Sequence, residues 1–197
     1  MVQANALHAE AMNDFVKQMS SFYNFIPAYN FKDLVRKHSY FKGLDISDFY
    51  LFYQDSTLTG MFGLWRQSDF KQTKILSYGK TIGYIRPFYN LWARWSGHMP
   101  LPRKGETIKY HVLHSLLCHP QQLHLHDYML RIAMKLSREQ RIGRIAFTLS
   151  LKDPRQQLNH YYKGERLTGM HGFFCYKGDP RRHLDAERIT YLECGRI

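Results

Sequence analysis

Five histidines lie close together in the sequence and could, by residue type, ligate a metal ion. They stand at positions His111, His114, His119, His124 and His126. The run His124-Leu-His126 lacks the set of carboxylate or thiolate ligands that completes a zinc site. On an extended strand, His111 and His114 point to opposite faces. The pattern therefore predicts no metal site.

Cys118 is a second candidate, because a thiolate beside a base can act as a nucleophile. His119 follows it directly, but consecutive strand residues point apart, so no joint role is predicted. The chain has no serine nucleophile elbow, Walker phosphate loop or paired-carboxylate motif. All three cysteines, Cys118, Cys175 and Cys194, fall in strand-like stretches without metal or disulfide spacing, which predicts reduced core thiols in a cytoplasmic protein.

The chain is strongly basic, with 28 Lys and Arg against 16 Asp and Glu in 197 residues, and a formal net charge of +12. Residues 101–197 hold 17 of the basic and 9 of the acidic residues, which is 8 of the 12 excess charges. Such a half suits a phosphorylated cofactor, a nucleic acid or an anionic membrane, and equally a solvated surface. No apolar run approaches the roughly 18 residues that would indicate a membrane-spanning helix.

The elements that must position these residues are clearest between Thr107 and Leu151. Apolar residues alternate in Thr107–Cys118 and in Arg144–Leu151, which predicts two strands. Between them, apolar residues recur at helical spacing from about Leu125 to Arg141, and Gly143 follows where a helix ends readily. A strand, a crossover helix and a second strand predict a parallel pair of neighbouring strands.

The flanking segments predict two helices and a hairpin before this unit, and a short helix and two strands after it. The helices are Asn5–Met19, Phe31–His38 and Asp153–Tyr162; the hairpin is Asp48–Gln54 with Leu58–Gln67; further strands are Thr73–Tyr78, Met170–Lys177 and Glu187–Cys194. Residues 79–102 form an aromatic insert, within which Ile82–Trp95 is predicted as a helix or lid over the sheet. Burial in the domain and exposure as a gating or partner surface are both open for this insert.

This order of elements resembles the GNAT superfamily of acyl-CoA-dependent acyltransferases, over nearly the whole chain. The segments Gly60-Met-Phe-Gly-Leu-Trp65, Phe70-Lys-Gln-Thr73 and Arg86-Pro-Phe-Tyr-Asn-Leu91 are more narrowly similar to a group of bacterial GNAT-like proteins. The resemblance implies a single α+β (α/β) domain over residues 1–197, with a mixed, mostly antiparallel sheet and flanking helices. The first strand of that fold is absent from the predicted elements. This absence suggests the C-terminal half of a two-domain architecture, or a homodimer or partner domain that supplies the strand.

The resemblance implies transfer of an acetyl group from acetyl-CoA, or another acyl group from acyl-CoA, to a small-molecule or protein amine. Its cofactor helix normally follows a glycine-rich loop whose amides bind a pyrophosphate. Here that run is Pro120-Gln-Gln-Leu-His-Leu-His-Asp127, which has no glycine, and Asp127 would repel a phosphate. The expected cofactor-binding residues are Leu116, Leu117 and Cys118 beside the pantetheine, and Gln121, Gln122, Leu123, His124, Leu125 and His126 at the pyrophosphate. The expected general acid is Tyr161 or Tyr162.

Two other functions compete with this hypothesis. A non-catalytic GNAT-like module that binds a protein partner is favoured by the glycine-free loop and the missing strand. A nucleic-acid-binding domain is favoured by basic and aromatic residues that alternate between Lys71 and Arg94, although such residues are commonly core and surface-spanning side chains.

Overall fold

The computed structural model describes residues 1–96, 98, 100–170, 172 and 178–196. In chain order, its strands and α-helices are β1 (Val2–Gln3), α1 (Ala9–Met19), β2 (Tyr23–Asn24), α2 (Phe31–Val35), β3 (Phe49–Gln54), β4 (Thr57–Trp65), β5 (Thr73–Lys74), α3 (Lys80–Ser96), β6 (Thr107–Ile108), β7 (His111–Cys118), α4 (Leu123–Glu139), β8 (Ile145–Ala146) and β9 (Ile189–Thr190). Short 3₁₀ helices occupy Ala6–His8, Ser39–Phe41, Ile46–Asp48, Pro154–Tyr161, Pro180–His183 and Cys194–Arg196.

The main sheet has five strands in the order β1-β3-β4-β7-β8. Its pairings are antiparallel except for the parallel pair β7–β8. Two small sheets join β5 to β6 and β2 to β9. Helices α1 and α2 border the apolar cluster on one side of the main sheet, and α4 borders the cluster on the other. This arrangement confirms the predicted fold class, a mixed and mostly antiparallel sheet with flanking helices.

The prediction that the first strand is missing is wrong. Val2 and Gln3 form β1, which pairs antiparallel with Leu51 and Tyr50 of β3. Two bonds strengthen this edge, from Ala4 N to Phe49 O at 2.8 Å and from Gln3 Nε2 to the backbone oxygen of Ser47 at 2.6 Å. A two-residue strand is too short for an alternating pattern to indicate it. The edge that a partner was expected to complete is therefore occupied by the chain itself.

The predicted hairpin is confirmed as β3 and β4, and its two glycines lie at close contacts. A Cβ on Gly60 would stand 2.8 Å from Met129 Sδ, and one on Gly63 would stand 2.9 Å from the Phe49 ring. The β3–β4 register shifts between Phe52 and Tyr53, which leaves Thr59 as an extra residue of β4 directly before Gly60. The two glycines therefore allow β4 to approach α4 closely at Gly60 and the Phe49 ring of β3 closely at Gly63.

The strand–helix–strand unit forms with one large difference. Helix α4 agrees with its predicted range and buries Met129, Leu130 and Ala133. The strand after it was predicted over Arg144–Leu151, but β8 pairs with β7 only at Ile145 and Ala146. The chain then leaves the hydrogen-bonded ladder, although Ile145 and Phe147 both pack on the α4-side cluster. Hydrophobic alternation continues beyond the point at which the hydrogen-bonded ladder stops.

The end of the chain also differs from its predicted strands. Of Glu187–Cys194, only β9 is extended, and it pairs parallel with β2. Cys194 begins a 3₁₀ helix, so it does not lie in a strand. The predicted strand Met170–Lys177 falls mostly outside the described residues. No helix among the described residues is long and apolar enough to cross a membrane.

Candidate active site beside the central strand

A bulge in β7 turns one backbone amide toward a buried carboxylate. In the β4–β7 register, Met61 pairs with Leu117 and Gly63 pairs with His114, so Ser115 and Leu116 together face one β4 residue. Ser115 takes a positive φ of 49° in this bulge. Its N–H donates to Glu193 Oε2 at 2.8 Å. The bulge therefore presents a main-chain donor to a carboxyl oxygen.

The Glu193 carboxyl lies in a closed aromatic setting. It accepts hydrogen bonds from the Tyr191 hydroxyl at 2.9 Å and from the Tyr29 hydroxyl at 3.5 Å. Burial raises the pKa of Glu193 to about 7, against the opposing effect of the Ser115 amide and the tyrosine hydroxyls. His114 Nδ1 lies 3.8 Å away, but burial holds the pKa of His114 well below 6.5, so the ring is neutral and forms no ion pair. Glu193 is thus poised to exchange a proton near neutral pH.

Strand β7 continues to Cys118 beyond its pairing with β8. There, side chains that are distant in sequence form hydrogen bonds with its backbone. Glu193 accepts from Ser115, and the Tyr23 hydroxyl donates to the backbone oxygen of Cys118 at 3.0 Å. Arg155 lies beside Cys118, with Nη1 3.9 Å from its Sγ, and over the Tyr23 ring. We call these five residues, Tyr23, Ser115, Cys118, Arg155 and Glu193, the β7 seam.

Arg155 is held in the β7 seam by a buried ion pair. It is 1% exposed, and its guanidinium donates to both carboxylate oxygens of Asp153, with Nη2 2.5 Å from Oδ2. Asp153 also caps the 3₁₀ helix Pro154–Tyr161 by accepting the Arg155 N–H at 2.9 Å. Burial raises the pKa of the Cys118 thiol, which favours its protonated form.

The loop after β7 reaches the N-terminus of α4 without any positive φ angle. No side chain caps this helix. The amides of Gln122, Leu123 and His126 donate to backbone oxygens of this loop. Within the described part of the chain, the amides of His124 and Leu125 have no acceptor. The glycine-free loop therefore still leaves two main-chain donors at the positive end of a helix dipole.

A cavity of about 590 Å³ lies against this helix end. Five of the residues predicted to bind a cofactor line it: Gln121, Gln122, Leu123, His124 and Leu125. The sequence did not indicate the opposite wall of the cavity, which includes Phe52, Tyr53, Gln54 and Thr59 of the β3–β4 hairpin. A cavity of this size matches a small-molecule site of the usual range.

The remaining predicted cofactor residues lie away from this cavity. Leu116 and Cys118 are buried on the α4 side of the sheet, and Leu117 is buried on the other. The ring of His126 is fully buried with both nitrogens unpartnered among the described residues, and burial lowers its pKa to about 3. The His126 side chain therefore does not reach solvent, whereas the His124 side chain is exposed.

The two candidate general acids differ in their surroundings. Tyr161 is 70% exposed, with its ring against His160. Tyr162 packs on the α4-side cluster, and its hydroxyl donates to the Asp127 carboxylate. Burial, followed by this hydrogen bond, raises the pKa of Tyr162 to about 12. Arg131 Nε also binds Asp127 at 2.7 Å and lowers its pKa, so the negative charge near the helix end is already paired.

The histidines do not converge on a common point. His111 Nδ1 lies 2.9 Å from the Ser137 hydroxyl, and His119 packs edge-on against Phe22. The described residues contain no group of three or more His, Cys, Asp or Glu side chains that could hold a metal ion.

Sequence reasoning missed Ser115, Arg155 and Glu193. A faint signal existed for two of them. Glu193 is the single acidic residue in the run Tyr191-Leu-Glu-Cys194, and a lone charge in such a run is normally paired. Asp153-Pro154-Arg155 starts a helix with a charged pair within two residues. The bulge at Ser115 left no signal, because serine has no preference for a positive φ.

Neither a comparison with protein-family models nor one with curated protein sequences returns a match. Solved structures do match. A predicted acetyltransferase with acetyl-CoA from Clostridium acetobutylicum has 8% identity and a TM-score of 0.49, covering 86% of this chain and 92% of its own. A probable acetyltransferase has 14% identity and a TM-score of 0.49, covering 90% and 97%. An apo aminoglycoside 6′-N-acetyltransferase from Acinetobacter haemolyticus has 11% identity and a TM-score of 0.38, covering 86% and 94%. Similarities at this level of identity concern the fold alone.

Proposed function

We propose that this protein transfers an acyl group from an acyl-CoA to an amine, acetyl-CoA being the simplest donor. The observation that carries the proposal is the Ser115 amide, which donates to a carboxyl oxygen at the bulge of the central strand. Acyl transfer needs such a donor, because negative charge develops on the carbonyl oxygen in the transition state. The bulge lies where β8 has left β7, so a linear donor could follow the free edge of the strand.

Glu193, bound at the bulge, is proposed as the base, and a tyrosine that lies outside the bulge is proposed as the acid. The amine nitrogen attacks the thioester carbon, its proton passes to Glu193, the C–S bond breaks, and the sulfur takes a proton from Tyr162 or Tyr161. Glu193 suits the base role because its pKa of about 7 lies near the working pH. Its carboxylate must release the Ser115 N–H when the acyl carbonyl takes that position.

The N-terminus of α4 is the proposed site for the diphosphate of the donor. Two amides without an acceptor among the described residues, at His124 and Leu125, belong to residues that line a cavity of suitable size. The exposed imidazole of His124 is a further donor at the same place. This assignment uses the predicted loop residues, with the exception of the buried His126 ring.

A thermal-shift and calorimetric titration with CoA, acetyl-CoA and longer acyl-CoAs tests binding. A ligand that binds only the folded state must raise the unfolding midpoint. We expect a shift for acyl-CoA and its loss in a Leu125→Pro variant, with the exposed His160→Ala variant as control. The absence of heat and of any shift at millimolar ligand would remove the acyl-transfer proposal.

Glu193→Gln tests the base separately, with the exposed Glu187→Gln as its matched control. We expect Glu193→Gln to keep acyl-CoA binding and to lose about 10²–10⁴-fold in transfer to a panel of amines. Tyr162→Phe against Tyr161→Phe then assigns the general acid. Unchanged transfer in Glu193→Gln would contradict the role of this carboxylate while leaving the binding site intact.

The second candidate function is a non-catalytic module that binds a protein partner. The observation that favours it is that the β7 seam satisfies its own polar groups, with Glu193 on the Ser115 amide and Tyr23 on the Cys118 carbonyl. A protein that ignores every acyl-CoA and forms a stable complex would support this reading.

A further inference from the structure

Helix α3 is packed with its polar side toward the protein. Arg86 Nε donates to the backbone oxygens of Leu101 and Pro102 at 3.1 and 2.9 Å. The Asn90 side chain bonds both the oxygen and the amide of Leu101, at 3.0 and 2.7 Å. Ala93, on the same side, is the one residue of this helix that is buried among those described. The helix is therefore fixed to the 101–102 segment by its polar groups.

The apolar side of α3 faces outward. Seven large apolar residues are between 49% and 87% exposed: Ile82, Tyr84, Ile85, Phe88, Leu91, Trp92 and Trp95. Most of them share one side, because Tyr84, Phe88, Leu91 and Trp95 recur at steps of three or four residues. Soluble proteins seldom expose a continuous apolar stripe of this extent without a binding role.

The charges around this stripe are all of one sign within the helix. Residues 80–96 contain Lys80, Arg86 and Arg94 and no acidic residue. Lys163 adds a cation at the end of the helix, where its Nζ donates to the Ser96 oxygen at 3.0 Å. The stripe is thus an apolar band with cations at its ends, on a chain of net charge +12.

We propose that α3 lies in the interfacial layer of an anionic lipid bilayer. Its aromatic and aliphatic side chains enter the boundary of the acyl chains, and Lys80, Arg94 and Lys163 meet the headgroups. Tryptophan and tyrosine favour this layer, and a basic amphipathic helix gains from anionic lipid as well as from burial. At 17 residues with three cations, the helix lies on the membrane rather than across it.

Charge and side-chain type favour an anionic bilayer over two alternative occupants. A second copy would bring another chain of charge +12 against a face that is itself basic, which opposes association. A single-stranded nucleic acid would stack on aromatic rings, but aliphatic Ile82, Ile85 and Leu91 offer it nothing to stack on. An anionic bilayer complements both the apolar stripe and its cations. The proposal is independent of acyl transfer.

Tryptophan fluorescence provides the test, because the three tryptophans report on different places. Trp92 and Trp95 are on the stripe, whereas Trp65 is 3% exposed in the core. The full chain is titrated with phosphatidylcholine vesicles and with vesicles of equal parts phosphatidylcholine and phosphatidylglycerol. We expect a blue shift with the anionic vesicles only, together with co-sedimentation that weakens as salt rises.

Two exposed leucines give a matched pair of variants. Leu91→Ser removes a stripe side chain, and Leu167→Ser removes one that is 97% exposed elsewhere. We expect about tenfold weaker vesicle binding for Leu91→Ser, since an aliphatic side chain leaves the bilayer, and no change for Leu167→Ser. The double variant Lys80→Gln/Arg94→Gln should lose the preference for anionic lipid. Circular dichroism verifies that each variant is folded.

Several outcomes would overturn the proposal. Equal binding to neutral and anionic vesicles would contradict the role of the cations. A blue shift that depends on protein concentration, without lipid, would identify the stripe as a contact between two copies. A shift with single-stranded oligonucleotide but not with vesicles would identify a nucleic-acid surface. No shift under any of these conditions would leave the stripe without a membrane role.

Discussion

The chain contains the same tripeptide twice, at Asp153-Pro154-Arg155 and at Asp179-Pro180-Arg181. Each aspartate begins a 3₁₀ helix and accepts the arginine N–H at 2.9 Å. Each guanidinium then donates from Nε to both carboxylate oxygens, and from Nη2 to Oδ2 at 2.5 and 2.7 Å. The local sequence thus produces one local geometry in two places.

The surroundings of the two motifs are opposite. The side chain of Arg155, in the β7 seam, and that of its partner Asp153 are each 2% exposed. In the second motif, the Arg181 side chain is 81% exposed and that of Asp179 is 37% exposed. A surface pair of this kind contributes about 0–1 kcal/mol, because water solvates both partners well. In the buried copy, each ion depends on the other for its solvation. Burial, rather than hydrogen-bond geometry, sets the energetic importance of the motif.

The largest expected effect comes from removing one arginine at a time. Arg155→Met leaves the Asp153 carboxylate buried and unpaired, and should lower the free energy of unfolding by about 3–5 kcal/mol. Arg181→Met should change it by less than about 1 kcal/mol. Urea unfolding of both variants measures the difference. Equal effects would mean that the two motifs do not differ in burial as described.

Two glutamates extend the comparison to pH. Burial raises the pKa of Glu193 from 4.5 to about 7, so the folded state binds a proton more tightly than the unfolded chain. This contribution to stability is complete below about pH 4.5 and is lost as pH rises through 7. The change amounts to about 3 kcal/mol at 1.36 kcal/mol per pKa unit.

Glu193→Gln should therefore remove this part of the pH dependence. The free energy of unfolding of the wild type minus that of Glu193→Gln, measured in urea between pH 4.5 and 8, should fall by about 3 kcal/mol toward high pH. Taking the difference cancels the titration of the groups that do not interact with Glu193. The exposed Glu187→Gln should show a flat difference. A flat difference for Glu193 as well would place its pKa near the ordinary value.

Two glycines repeat the comparison at smaller scale. Gly195 lies between Glu193 and Arg196 in the sequence. A Cβ on Gly195 would stand 2.6 Å from the Trp65 ring. Gly195→Ala should destabilise the fold by about 1–3 kcal/mol, because an indole in a packed site cannot move away freely. Gly164→Ala meets nothing within 4 Å and should stay within about 0.5 kcal/mol. Thermal unfolding of the two variants is sufficient, and a neutral Gly195→Ala would show a loosely packed segment.

The same contrast explains what could be predicted from the sequence. Local patterns predicted α1, α4, the β3–β4 hairpin and the Asp153 cap, because spacing and capping residues act over a few positions. The site residues at Ser115 and Glu193 come together from positions 78 residues apart, through a bulge that no residue type demands. Only the long-range packing of the C-terminal segment brings them into contact. Likewise, the pairing of β8 ends at Ala146 although Ile145 and Phe147 both pack on the α4-side cluster, so the alternation of Arg144–Leu151 indicates burial and not where the ladder stops.

Helix α3 gave a pattern that fits burial and exposure equally well. Its apolar residues recur at helical spacing, as in a core helix, and periodicity specifies only that they share a side. Which side faces the protein was decided by Arg86 and Asn90, whose bonds to the 101–102 segment turn the stripe outward.

The smallest expected effect on stability concerns two of the largest side chains, the exposed tryptophans of α3. It therefore tests directly whether burial determines what a side chain contributes to stability. Trp95 is 87% exposed, so Trp95→Ser removes little contact within the protein, whereas Trp92 is 52% exposed and its ring stacks on that of His98 with 4.5 Å between centroids. Trp95→Ser should change the free energy of unfolding by less than about 0.5 kcal/mol and Trp92→Ser by about 1 kcal/mol, whereas truncation of a buried tryptophan costs about 3–5 kcal/mol. Urea unfolding in lipid-free buffer measures this. A loss of several kcal/mol would mean that α3 packs on the domain with its aromatic side. A negligible loss, together with weaker vesicle binding, would mean that these tryptophans act only on something outside the chain.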